Sequence, residues 1–181
     1  MLKPKKLDKK NFLSSFDMST EEIEIIFVLA KKLKEKTLNF EFKNKVLGLI
    51  FDKSSTRTRV SFQVAMSRLG GTTIDLNPTT SQIGRGEPIK DTARVLSKYC
   101  DVLAIRTFNH ADLEEYAKWS TKPVINALTD FSHPCQVVAD LITIKEHLKD
   151  FANKKISWFG DCNNVLQSWI EASVLLNFEL N

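Results

Sequence analysis

Val46-Leu47-Gly48-Leu49-Ile50-Phe51-Asp52-Lys53-Ser54-Ser55-Thr56-Arg57-Thr58-Arg59 is the stretch on which the reading of the fold turns. Its first six residues are an unbroken apolar run, as expected of a strand buried on both faces. Polar residues follow at once. From about residue 57 to 69 the apolar Phe62, Ala65, Met66 and Leu69 then recur on one face of a helix, with Gly70 as its stop. A buried strand, a short polar turn and an amphipathic helix together form one α/β unit.

The same rhythm extends outward in both directions. Upstream, Ser19-Thr20-Glu21-Glu22 has the spacing of a capping box, and Ile23, Ile26, Phe27, Ala30 and Leu33 follow at helical intervals. Lys31, Lys32 and Lys34 stand near the end of that helix, where cations suit the dipole. Downstream, strands are expected at 72–76, 102–105 and 124–127, and helices at 88–99, 112–119 and 134–148. Such alternation predicts an α/β fold: a parallel four-stranded sheet flanked by helices. The pattern then restarts with a strand at 155–159, a turn at 160–164, a helix at 165–176 and a short strand near 178–180. A polar boundary at 150–154 divides the chain into a first domain, 1–149, and the start of a second, truncated α/β domain, 150–181. A lone βα unit cannot bury both faces, so the last residues are expected to pack on the first domain or to be poorly ordered.

Composition narrows the function classes. Hydrophobic residues make up 43% and charged residues 27%, a globular rather than a disordered profile. The net charge of +4 suits a small anionic substrate and does not by itself argue for nucleic acid. Aromatic residues do not interleave with a basic stripe, so a nucleic-acid partner is not expected. Cys100, Cys135 and Cys162 are widely spaced and odd in number, which supports neither a disulfide framework nor a zinc site. No apolar run approaches the roughly 20 residues that span a bilayer. The lysine-rich start, residues 1–10, lacks the apolar segment of a secretion signal. A cytoplasmic protein without metal or cofactor is the expectation.

In open parallel sheets, ligands bind beyond the carboxyl ends of the strands. Three segments fall there. In Asp52 to Arg59, the start of a helix offers unpaired N–H groups, Ser55, Thr56 and Thr58 add hydroxyls, and Arg57 adds a planar fork that fits phosphate. The glycine spacing of a nucleotide loop is missing. Ser55 and Thr56 also admit a purely local role as helix caps, with the arginines in surface ion pairs. Arg106 ends a buried strand, where a charge is costly unless used, or paired with Asp101 or Asp130. In His133-Pro134-Cys135-Gln136, Pro134 suits a first helical turn and aims His133 and Gln136 at the same region. His133 could donate to a carbonyl oxygen, act as an acid, or be structural. Cys135 reads as a small core residue, Gln82 as part of an exposed loop, and Asn163-Asn164 as a turn in which one asparagine caps a helix.

Taken together, Phe51 to Phe62, Gln82-Ile83-Gly84-Arg85-Gly86-Glu87, His133-Pro134-Cys135-Gln136, and Trp158-Phe159-Gly160-Asp161 running into Asn163-Asn164 resemble the aspartate/ornithine carbamoyltransferase family over nearly the whole chain. The ornithine branch is the closer match. Two departures are Asp52, where the family more often has glutamate, and Cys162, where it has a small residue. The resemblance implies that Ser55, Thr56, Arg57 and Thr58 hold the phosphate of carbamoyl phosphate together with Arg106. It implies that Arg106, His133 and Thr58 polarise the carbonyl and that Gln136 orients the amino group. Gln82 would reach a neighbouring subunit's site in a homotrimer, and Asn164 would bind ornithine. The implied reaction forms citrulline, with no metal and no covalent enzyme intermediate. Because the family continues into a full second domain, the chain is expected to bind carbamoyl phosphate or phosphate yet turn over poorly. Two alternatives remain: another acceptor (putrescine, an acylated ornithine or aspartate), or a non-catalytic anion-binding module.

Overall fold

In the computed structural model, which describes residues 8–77, 81–149, 151 and 154–181, the chain forms β1 (Val46–Phe51), β2 (Thr72–Leu76), β3 (Val102–Arg106) and β4 (Val124–Leu128) as one parallel sheet in the order β2-β1-β3-β4. The helices are α1 (Thr20–Lys34), α2 (Arg57–Arg68), α3 (Ile89–Tyr99), α4 (His110–Trp119), α5 (Pro134–Leu148) and α6 (Asn164–Leu176). The four-stranded parallel sheet with flanking helices is the architecture that the sequence predicts. Residues 1–7 of the lysine-rich start, and Asp150, Ala152 and Asn153 of the expected boundary, lie outside the described residues.

The unbroken apolar run of β1 is explained by two cores. Leu47, Leu49 and Phe51 point to one face with Met66 of α2, and Ile50 points to the other with Ala93 of α3 and Leu113 of α4. Gly48 is there because space is short. A Cβ at this position would come within 2.8 Å of Leu103 Cδ2 and 2.9 Å of Cys100 Sγ. Gly48→Ala is therefore expected to destabilise the chain by about 1–3 kcal/mol, read as a lower urea midpoint at unchanged slope.

The open edge of the sheet at β4 is covered by the N-terminal segment. Phe12 donates its N–H to Val124 O (2.9 Å) and accepts from Asn126 N–H (2.8 Å). α1 starts at the expected capping box, with Ser19 and Glu22 satisfying each other's backbone N–H groups. Its Ile23 and Phe27 meet Val137 and Leu141 of α5 and Trp169, Ala172 and Phe178 of the last segment in a third core. Glu171 of α6 is buried and accepts the Ser15 N–H at 2.9 Å. α6 and Phe178 thus pack against α1 and α5.

Three expectations need correction. The strand expected at 155–159 is only β5 (Lys155–Ile156), which pairs in parallel with β6 (Glu179–Leu180). Beyond Ile156 the Trp158 N–H still donates to Asn181 O at 2.7 Å, but its indole N–H turns to Asp161 O at 3.2 Å and Phe159 is 93% exposed, so the pairing stops short of 159. α4 begins two residues early, at His110, because Asn109 takes the extended N-cap conformation. On α2, Ala65 faces solvent and only Met66 is buried.

Candidate anion-binding site

The order β2-β1-β3-β4 reverses direction at β1: the chain moves to one side for β2, then back across to β3. Side loops part at such a reversal and leave a crevice at the strand ends. Phe51 and Arg106 are register partners there, and the Asp52 N–H donates to Arg106 O at 2.9 Å. A cavity of about 280 Å³ opens at this point, lined by Ser54, Ser55, Thr56, Arg57, Thr58 and Arg106.

The start of α2 decides between capping and ligand binding. Thr56 occupies the N-cap position, but its backbone is already helical and its side chain makes no capping bond. The first-turn N–H groups of a helix need partners from outside the helix, and here no cap side chain supplies them. Arg59 is drawn away: its guanidinium bonds Asp75 at 2.9 Å and lies over the Phe51 ring. Arg57 makes no ion pair or hydrogen bond among the described residues. The loop before it is braced by Lys53, which pairs with Asp130 and lies over the Phe108 ring. Asp52 accepts a hydrogen bond from Thr107, while partial burial raises its pKa.

Arg106 has neither of the partners open to it in the sequence. Asp101 pairs with Lys45 and Asp130 with Lys53. The Arg106 Nε is buried with no hydrogen-bond partner, and desolvation lowers the guanidinium pKa. A buried, unpaired donor on a cation is costly, so the residue is poised for an anion.

His133 is 7% exposed at the start of α5, and its Nδ1 is buried without a partner. Burial, and then the nearby Arg106 charge, push its pKa down from 6.5 to about 4, so the ring is neutral at physiological pH. Between pH 6.5 and about 4 the unfolded chain therefore binds a proton that the folded chain does not. Stability from this residue is fully present above pH 6.5 and is lost as pH falls toward 4. The melting temperature of His133→Ala is expected to fall less than that of the wild type across this window, with the carboxylates contributing equally to both.

The remaining candidates are dispersed. Gln136 is exposed and donates from Nε2 to Asp140 Oδ1 at 2.8 Å, an acceptor one turn away on its own helix, and it does not line the cavity. Gln82 is exposed in a 3-10 turn, Gln82–Arg85, which Gly86 ends at φ 88°. The Glu87 carboxylate holds that loop to α3 through Thr92 Oγ1 at 2.7 Å. Asn163 caps α6, accepting from the Val165 and Leu166 N–H groups, and Asn164 donates to Thr129 O at 2.6 Å. Cys135 faces the core: its thiol bonds Asn126 O, and burial pushes its pKa up to about 12. Ser54 lines the cavity although the sequence reading assigned it no role; its only local signal is that it adjoins Ser55. Among the described residues no cluster of three metal-ligating side chains occurs, and no helix is long and apolar enough to cross a membrane.

A family model described as "Aspartate/ornithine carbamoyltransferase, carbamoyl-P binding domain" matches residues 10–146. A protein of Prochlorococcus marinus subsp. pastoris named ornithine carbamoyltransferase is 69% identical over 180 residues, covering 99% of this chain and 58% of its own length. The crystal structure of ornithine carbamoyltransferase from Gloeobacter violaceus superposes with a TM-score of 0.87 at 46% identity, over 95% of this chain and 57% of that one. Aspartate transcarbamoylase from Trypanosoma cruzi, solved with carbamoyl phosphate and aspartate, matches with a TM-score of 0.86 at 28% identity, over 97% of this chain and 60% of that one. The chain thus spans a little under three fifths of the length of the first of these relatives.

Proposed function

Because the chain belongs to the aspartate/ornithine carbamoyltransferase family, we propose that it is the carbamoyl-phosphate-binding part of an ornithine carbamoyltransferase. One observation carries this reading. An uncapped helix start and the unpartnered Arg106 Nε meet at one cavity at the reversal point of the sheet. In this reading Ser55, Thr56, Arg57 and Thr58 take the phosphate oxygens through hydroxyls, guanidinium and backbone N–H groups. Arg106 bridges phosphate and carbonyl. His133, being neutral, gives a ring N–H to the carbonyl oxygen as negative charge gathers there. Gln136 orients the carbamoyl amino group after releasing Asp140.

The δ-amine of ornithine attacks the carbonyl carbon, the C–O bond to phosphate breaks with its electron pair on phosphate, and the nitrogen gives up a proton. Citrulline and phosphate result. Positioning and charge stabilisation supply the rate. Residues 1–149 serve as the first domain and 150–181 begin the acceptor domain, where Asn164 meets ornithine. The working assembly is a cytoplasmic homotrimer in which Gln82 reaches a neighbour's site.

Calorimetry of the chain with carbamoyl phosphate, and separately with phosphate, tests the anion site. Selective binding of carbamoyl phosphate supports it, and equal weak binding of every anion overturns it in favour of a non-catalytic module. Assaying the protein at the length of its relatives with ornithine, putrescine, an acylated ornithine and aspartate decides the acceptor.

A further inference from the structure

The hydroxyl of Ser168 is where the two ends of this site meet. Ser168 lies on α6 and is fully buried. Its Oγ accepts the His133 N–H at 2.8 Å, lies 2.9 Å from Ser132 Oγ and donates to Asn164 O at 3.1 Å. A serine hydroxyl has one proton and two lone pairs. With the proton on Asn164 O, the lone pairs take the His133 N–H and the Ser132 O–H, and every valence is used.

Bonding back to the carbonyl four residues earlier is ordinary for a helical serine. The two partners on the α5 side are not local, and they close a circuit. Asn164 Nδ2 donates to Thr129 O at 2.6 Å. Thr129 donates its N–H to Ser132 O at 2.9 Å, and Thr129 Oγ1 accepts the Ser132 N–H at 3.1 Å. Ser132, adjoining His133, returns to Ser168. Thr129, Ser132, His133 and Ser168 are all buried. His133 itself has no protein partner at Nδ1, so its ring is aimed by its backbone and packing.

We infer that Ser168 is a positioning residue whose buried hydroxyl sets the segment carrying His133 in register with the turn carrying Asn164. It acts through His133 and touches no substrate. The inference rests on the proposed function for its kinetic consequence and on the hydrogen-bond circuit alone for its structural one.

Two measurements separate these. In the 181-residue chain, Ser168→Ala is expected to speed amide hydrogen exchange at His133 about tenfold or more relative to Ile105 in β3. Ala172→Gly, which loosens the same helix without touching a hydroxyl, is expected to leave that ratio unchanged. In the protein at the length of its relatives, Ser168→Ala is expected to lower kcat about 10- to 100-fold, with the KM for carbamoyl phosphate held within about twofold because the Ser54–Thr58 cavity is intact. Ser132→Ala breaks the same link from the α5 side and must reproduce both effects.

Unchanged exchange at His133 overturns the inference whatever the activity. So does an equal loss of kcat in Ala172→Gly, or a loss confined to KM. Absence of citrulline formation by the wild type, with the exchange difference present, sinks the proposed function and leaves the link standing.

Discussion

Arg106→Ala is expected to weaken carbamoyl phosphate binding by about 3–4 kcal/mol, roughly 100- to 1000-fold, the cost of removing a desolvated, charge-assisted partner. The same change is not expected to lower the melting temperature. Arg106 has a buried Nε without a partner and no ion pair among the described residues, so its removal relieves a desolvation cost in the free protein. Opposite signs for affinity and stability distinguish a binding arginine from a structural one. Calorimetry and thermal melts of the two proteins give both numbers. Arg106→Lys is expected to recover only part of the affinity, because an ammonium keeps the charge but loses the fork. Undiminished affinity in Arg106→Ala would remove Arg106 from the site.

His133→Ala carries the second large effect, on turnover rather than binding. Loss of one preorganised donor to a developing oxyanion costs about 100- to 1000-fold in kcat. The KM for carbamoyl phosphate is expected to change far less, since the lining of the phosphate cavity does not include His133. Steady-state citrulline formation by the protein at the length of its relatives is the measurement. A rise in KM at constant kcat would instead make His133 a ground-state contact. Because burial holds the imidazole neutral down to about pH 4, the wild-type rate should show no limb from this residue near pH 6.5.

The main sheet was legible because each strand carries its own signal. β1 is a continuous apolar run, and the cores on its two faces account for every side chain in it. α1 and α5 were legible from their starts, at the Ser19–Glu22 box and at Pro134. β5 was legible only in part, because Trp158 keeps a backbone bond to Asn181 while Phe159 is apolar and exposed, and composition cannot tell an exposed apolar residue from a strand.

The site was legible in its residues more than in its contacts. Ser55 and Thr56 are equally good caps and ligands on paper. Only the helical backbone of Thr56, with no capping bond, separates the two roles. Gln136 was placed with the pocket by position alone, yet a carboxylate four residues on takes its amide. The Ser168 link joins residues 35 apart and has no periodic or motif signature. Nothing local in a serine of an apolar helix points to the main chain of a distant histidine.

The bond from the Ser15 N–H to Glu171 has a consequence during synthesis. It spans 156 residues, nearly the whole chain. The apolar sides of α1 and α5, with Ile23, Phe27, Val137 and Leu141, are completed by Trp169, Ala172 and Phe178. On the ribosome the first helix therefore waits, sticky and half-dressed, until residues 169–178 have been made. Contacts so far apart in sequence form late, and uncovered apolar surface on a nascent chain is what chaperones hold. The sheet can assemble as it emerges, while the seam that joins α1 and α5 to α6 closes after it.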